Sequence, residues 1–163
     1  MKYAKLIKLI FAMSVISAPT VALAEYTVST LDLSDARALI TKGETTATTL
    51  KVNVCLAVVD PSGILISFDR MDKAPIGCID AAIAKARAAA LYRLKTSVNM
   101  QRVNNDNPAL ATSPQIAPLG GGVPVSHGDQ MVGAVGVSGA TNEIEVKIAE
   151  KMAAGYGVAA ATK

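Results

Sequence analysis

The chain has 163 residues, with 16 Lys+Arg against 13 Asp+Glu, 51% hydrophobic and only 4% aromatic residues. That length suits one domain with a modest core. Lys2, Lys5 and Lys8 lie in the first 24 residues, where no acid occurs, so the remainder carries 13 residues of each sign (16 − 3 = 13 against 13) and no formal net charge. A neutral chain offers no basic surface for nucleic-acid phosphates.

The first 24 residues read as a secretory signal peptide. The three lysines precede an apolar run from Leu9 to Ile16, and Ala22-Leu23-Ala24 supplies an A-x-A cleavage site. The apolar run is short for a membrane span. The expectation is a periplasmic or secreted protein, free of the membrane after cleavage, with residues 25–163 forming a single domain.

Leu31–Leu50 predicts a helix with Asp32 or Ser34 as N-cap and Leu33, Ala36, Leu39 and Ile40 on one face. Gly43 and five threonines argue against its second half. Val52–Val59 is nearly continuous in apolar residues, as a central strand buried on both faces would be. Asp60-Pro61-Ser62-Gly63 is a turn. Ile64, Ile66 and Phe68 alternate with Leu65, Ser67 and Asp69, predicting the returning strand of an antiparallel hairpin.

After the Arg70–Pro75 loop, Ile76, Ile79, Ile83, Ala86, Ala90 and Leu94 recur at helical spacing. Alanines cover most of the remaining helix surface, which predicts close packing on one side and assembly into a homo-oligomer on another. Lys85, Arg87 and Arg93 read as a solvated or ion-paired face. Lys95–Pro118, with three prolines and the run Asn104–Asn107, reads as an irregular binding loop or lid. Gly120–Gly122 leads into the strand Val123–Val125. Ser126–Gln130 is a turn, and Met131–Ser138 is the last strand. Thr141 or Asn142 caps a final helix running to about Ala154, with Glu143 and Glu145 in its first turn and Gly155 as its stop. The order helix, hairpin, helix, hairpin, helix gives an α+β domain.

Several chemistries are poorly served. One histidine and two cysteines fit no usual zinc spacing. Gly136–Ala140 misses the nucleophile elbow by its last residue. Gly133, Gly136 and Gly139 match no dinucleotide or phosphate loop. They read better as places where a helix or neighbouring chain approaches the strand. A weaker reading gives the Gly139–Asn142 helix start to an anionic ligand group. Cys55 and Cys78 read as packed thiols, with a disulfide as the alternative.

The segments VVDPSG, FDRMDKA, IAKARAAAL, GGGVPV and VGAVGVSGA resemble the GlcG/HbpS-like haem-binding family, over about Leu31 to Gly157. The same domain closes the PduO-type corrinoid adenosyltransferases. The resemblance implies a profilin-like antiparallel sheet with helices on its faces, an oligomer, and haem as ligand, with a corrinoid as the alternative. Haem needs an apolar slot, a donor to iron and cations for its propionates. The candidates are His127, the best metal ligand by chemistry, Tyr92 and Thr96 at the end of the central helix, Met100, and Gly121 and Gly122 of the glycine run. Met71, Met131 and Thr112 are weaker choices. An enzyme acting on a small hydroxy- or keto-acid, and an accessory subunit, are the alternatives to a binding protein.

Overall fold

The computed structural model describes residues 29–156; the signal segment lies outside them. Helix α1 spans Leu33–Thr49. The Asp32 carboxylate accepts from the Asp35 amide at 2.7 Å, and Asp35 returns the contact to the Asp32 amide. The helix continues through its threonine-rich half. Thr41, Thr45, Thr46 and Thr49 each donate their hydroxyl to the carbonyl four residues back, which removes the polar competition that makes threonine a poor helix former. Gly43 lies where α1 crosses the last helix: a Cβ there would come within 2.8 Å of the Met152 sulfur.

Strands β1 (Cys55–Val59) and β2 (Leu65–Arg70) form the first hairpin, and β3 (Gly122–His127) and β4 (Gln130–Ser138) the second. The Asp60 carboxylate fixes the first turn by accepting from the Ser62 and Ile64 amides. All pairings are antiparallel, in the order β2-β1-β4-β3. The expected α+β class with a profilin-like antiparallel sheet is what forms.

Strand β1 is fully buried because both sheet faces are covered. Leu56 and Val58 point toward α1 and α4 (Asn142–Ala153), joining Leu39, Ile40, Val135, Val137, Ile148 and Met152. Cys55, Ala57 and Val59 point the other way, toward α2 (Cys78–Tyr92), where Ala82, Ala86 and Ala89 meet Ala134. Large side chains fill one core and small ones the other, so α2 lies close to the sheet. At Gly136 an added Cβ would collide with the Ala82 carbonyl and Ala86. The alanines therefore serve packing within the chain to a larger degree than the oligomer expectation assumed.

Two expectations are corrected. Cys55 and Cys78 are joined in a disulfide, with Cα atoms 5.5 Å apart, so they are not separate packed thiols. Residues 95–118 are not wholly irregular: α3 spans Thr96–Asn105, and a single 3-10 turn follows at Pro108–Thr112. The central helix also ends sooner than Leu94, because Arg93 adopts a left-handed conformation (φ 51°) that separates α2 from α3. Among the described residues, no helix is long and apolar enough to cross a membrane.

Candidate functional site

The glycine run Gly120–Gly122 threads between three helices. Gly122 sits against the Lys85 backbone of α2 and the Thr96 methyl of α3, and donates its amide to the Thr96 hydroxyl at 2.8 Å. Gly121, at φ 112°, passes beside the Lys85 stem and the Glu145 Cβ. Gly120 packs against Asn142 and Val146 of α4. Side chains would block each of these approaches, which is the physical reason for three glycines in succession.

Beneath the run lies a buried ion pair. Lys85 Nζ donates to Glu145 Oε2 at 2.6 Å and to the Val137 carbonyl at 3.2 Å, and Lys85 is only 3% exposed. The other Glu145 oxygen accepts from the Gly139 and Ala140 amides at 2.7 and 3.1 Å. Both charges are thus compensated and hydrogen-bonded, as burial demands. Glu145 also corrects the reading of Gly139–Asn142 as an anion site, since the protein's own carboxylate already holds those amides.

On α3, Thr96, Asn99 and Met100 share one face by their spacing. Thr96 and Asn99 are buried. Asn142 Nδ2 donates to the Met100 sulfur at 2.8 Å. Asn99 Nδ2 and Asn142 Oδ1 are buried without a hydrogen-bond partner among the described residues, so this junction keeps a donor and an acceptor that water or a ligand group would satisfy.

The structure brings Thr96, Met100, Gly121 and Gly122 into this one junction. Tyr92 lies at its edge, 38% exposed, with its hydroxyl donating to the Pro114 carbonyl at 2.6 Å. That bond ties the 108–119 segment to the end of α2. Tyr92 and Thr96 do not stand one turn apart on a single helix, because the Arg93 break intervenes. His127 is elsewhere: it is exposed at the far end of β3, edge-on to the Tyr156 ring at 6.3 Å. Five strand steps separate it from Gly122, roughly 16 Å. Among the described residues, no three His, Cys, Asp or Glu side chains cluster as a metal site.

Lys85, Glu145 and Asn99 were not singled out as site residues from sequence. For Lys85 a signal existed, since Ala82, Lys85, Ala86 and Ala89 fall on one helical stripe. A lysine in a stripe of buried alanines needs a buried partner.

The family model described as "Haem degrading protein HbpS-like" matches residues 31–154. The chain belongs to the HbpS-like family. The protein GlcG of Escherichia coli K12 is 42% identical over 104 residues, which cover 63% of this chain and 77% of that protein. A doubly substituted HbpS of Streptomyces reticuli superposes with a TM-score of 0.75 at 28% identity, over 85% of this chain and 96% of that one. A haem complex of PduOC superposes with a TM-score of 0.71 over 77% of this chain and 94% of that one; at 24% identity it shows the shared fold. The HbpS-like match ends one residue after α4, so it takes in every element around the glycine run.

Proposed function

We propose that this is an exported haem-binding protein that sequesters, delivers or senses haem. The observation that carries the reading is the family match over residues 31–154, whose description names haem. The haem complex known for PduOC, a domain of the same fold, supports it. The donor set also suits the group. The Tyr92 phenol is exposed at the junction edge, and phenolate is a recognised haem-iron ligand type. Arg93 beside it is exposed and free to meet a propionate. The 108–119 segment, held at Pro114, would cover one porphyrin edge. Thr96 is fully buried, with its hydroxyl engaged by Gly122, so it acts by holding the glycine run.

Haemin titration tests this: a saturable Soret shift is expected. Tyr92→Phe should alter the spectrum and weaken binding, while His127→Ala should leave both unchanged. No spectral change at haemin well above micromolar would end the haem reading. Following the Soret band after adding a reductant or peroxide separates binding from degradation. Export is part of the proposal, and the Cys55–Cys78 bridge supports it, because disulfides persist in oxidising compartments. Protein from the producing cell should begin at Glu25 by intact mass. Finding the full precursor in the cytoplasm would refute export. Assembly as a homo-oligomer completes the proposal, and a clean monomer by sedimentation at micromolar concentration would remove it.

A further inference from the structure

A second site lies away from the glycine run. A cleft of about 520 Å³ runs between α1 and β2, lined by Leu33, Arg37 and Thr41 of the helix and by the consecutive run Ile66–Asp69 of the strand. Successive strand side chains point to opposite faces. A cleft lined by four consecutive residues therefore follows the edge of the strand and not one face of the sheet.

That edge is open. Strand β2 is outermost and pairs only with β1. Unpaired edges are normally blunted by proline, bulges or a covering element. The opposite edge, β3, carries Pro124 and a bulge beside Val125. Strand β2 contains no proline, and its entry exposes Ile64 by 60% and Leu65 by 42%.

The cleft is also polarised. Leu33, Arg37, Thr41 and Glu44 form one stripe of α1 by their spacing. At the apolar end, Leu33 is 48% exposed opposite Ile66. At the other end Glu44 and Asp69 face each other. Burial, the Asp69 charge and a carboxyl–carboxyl hydrogen bond hold the Glu44 carboxyl above its usual range. Two carboxyl groups placed together are satisfied best by a cation.

We propose that this cleft binds an extended peptide segment as an added strand along β2, with apolar residues at the Leu33–Ile66 end and a lysine or arginine at the Glu44–Asp69 end. Main-chain bonds to the free edge would supply affinity, and the two ends would set direction and side-chain preference. Charge favours such a peptide over a second copy of this chain. Antiparallel self-pairing centred on Ser67 would set Leu65 opposite Asp69, leaving the acidic pair without a cation. The proposal is independent of the haem reading.

The probe is a fluorescein-labelled hexapeptide of alternating valine and threonine ending in lysine, amidated at its C-terminus. Saturable anisotropy is expected, with amide chemical-shift changes over Leu65–Arg70. Replacing lysine by norleucine should weaken binding about fivefold, the upper range for an exposed ion pair. A Glu44→Gln/Asp69→Asn variant should lose that preference while still binding the norleucine peptide. Methylating alternate peptide amides should abolish binding. No saturation at millimolar peptide, shifts elsewhere, equal binding of the methylated peptide, or a β2-paired dimer that the peptide cannot displace would each overturn the proposal.

Discussion

Reduction of the Cys55–Cys78 bridge measures how much this small domain depends on a covalent tie. The bridge links the central strand to the first turn of α2 across 23 residues. Closing a loop of that length lowers the entropy of the unfolded chain by about 11 cal/mol/K, or about 3.4 kcal/mol at 25 °C. For a domain of this size that corresponds to roughly 10–15 °C in melting temperature. The assay is guanidinium unfolding of the same wild-type protein with and without reductant, followed by circular dichroism. Using one sequence avoids the cavity that replacing two buried sulfurs would create. The reduced protein should unfold at distinctly lower denaturant. A midpoint that does not move on verified reduction would refute the loop-closure argument.

Lys85→Met should destabilise by about 3–5 kcal/mol, because it strands the buried Glu145 carboxylate, and adding Glu145→Gln should recover part of the loss; chemical denaturation of both variants checks this. For Glu44, whose carboxyl is raised by burial first and Asp69 second, the neutral form is the one favoured by folding. Its stabilising contribution is full below the ordinary value of 4.5 and is lost as pH climbs through the raised one. Glu44→Gln should therefore match wild type in acid and exceed it at neutral pH, read from midpoints across pH; equal midpoints at neutral pH would refute the assignment.

The fold was readable where one local signal dominates. Val52–Val59 announced a strand buried on both sides, and helical spacing announced α2. The α1 cap at Asp32 followed from residue type. The α3 helix was not readable, because Thr96–Asn105 has three asparagines and only three apolar residues. Its order comes from tertiary contacts: the Thr96 hydroxyl on Gly122 and Met100 against Asn142. Glu145 was placed in the first turn of α4, where the dipole alone accounts for it, and its partner lies 60 residues away. A pairing at that separation leaves no trace in local spacing. Cys55 and Cys78 were each correctly placed on a buried element, yet only the packing of α2 on β1 shows that they meet.

The disulfide and the buried ion pair act on one short segment. Cys55 pairs in register with Ser138. The next residue, Gly139, lies 3.4 Å from the Cys78 side chain by its virtual Cβ and gives its amide to Glu145. The bridge therefore holds the start of α2 against the turn that seats the Glu145 carboxylate. Groups sharing a segment in this way should couple, by about 0.5–3 kcal/mol. A cycle of oxidised and reduced protein, each with Lys85 or Met at residue 85, measures the coupling. The Lys85→Met loss should be smaller in the reduced protein, where the turn is already loosened and Glu145 can reach water. Losses that add within about 0.5 kcal/mol would show the two ties to be independent.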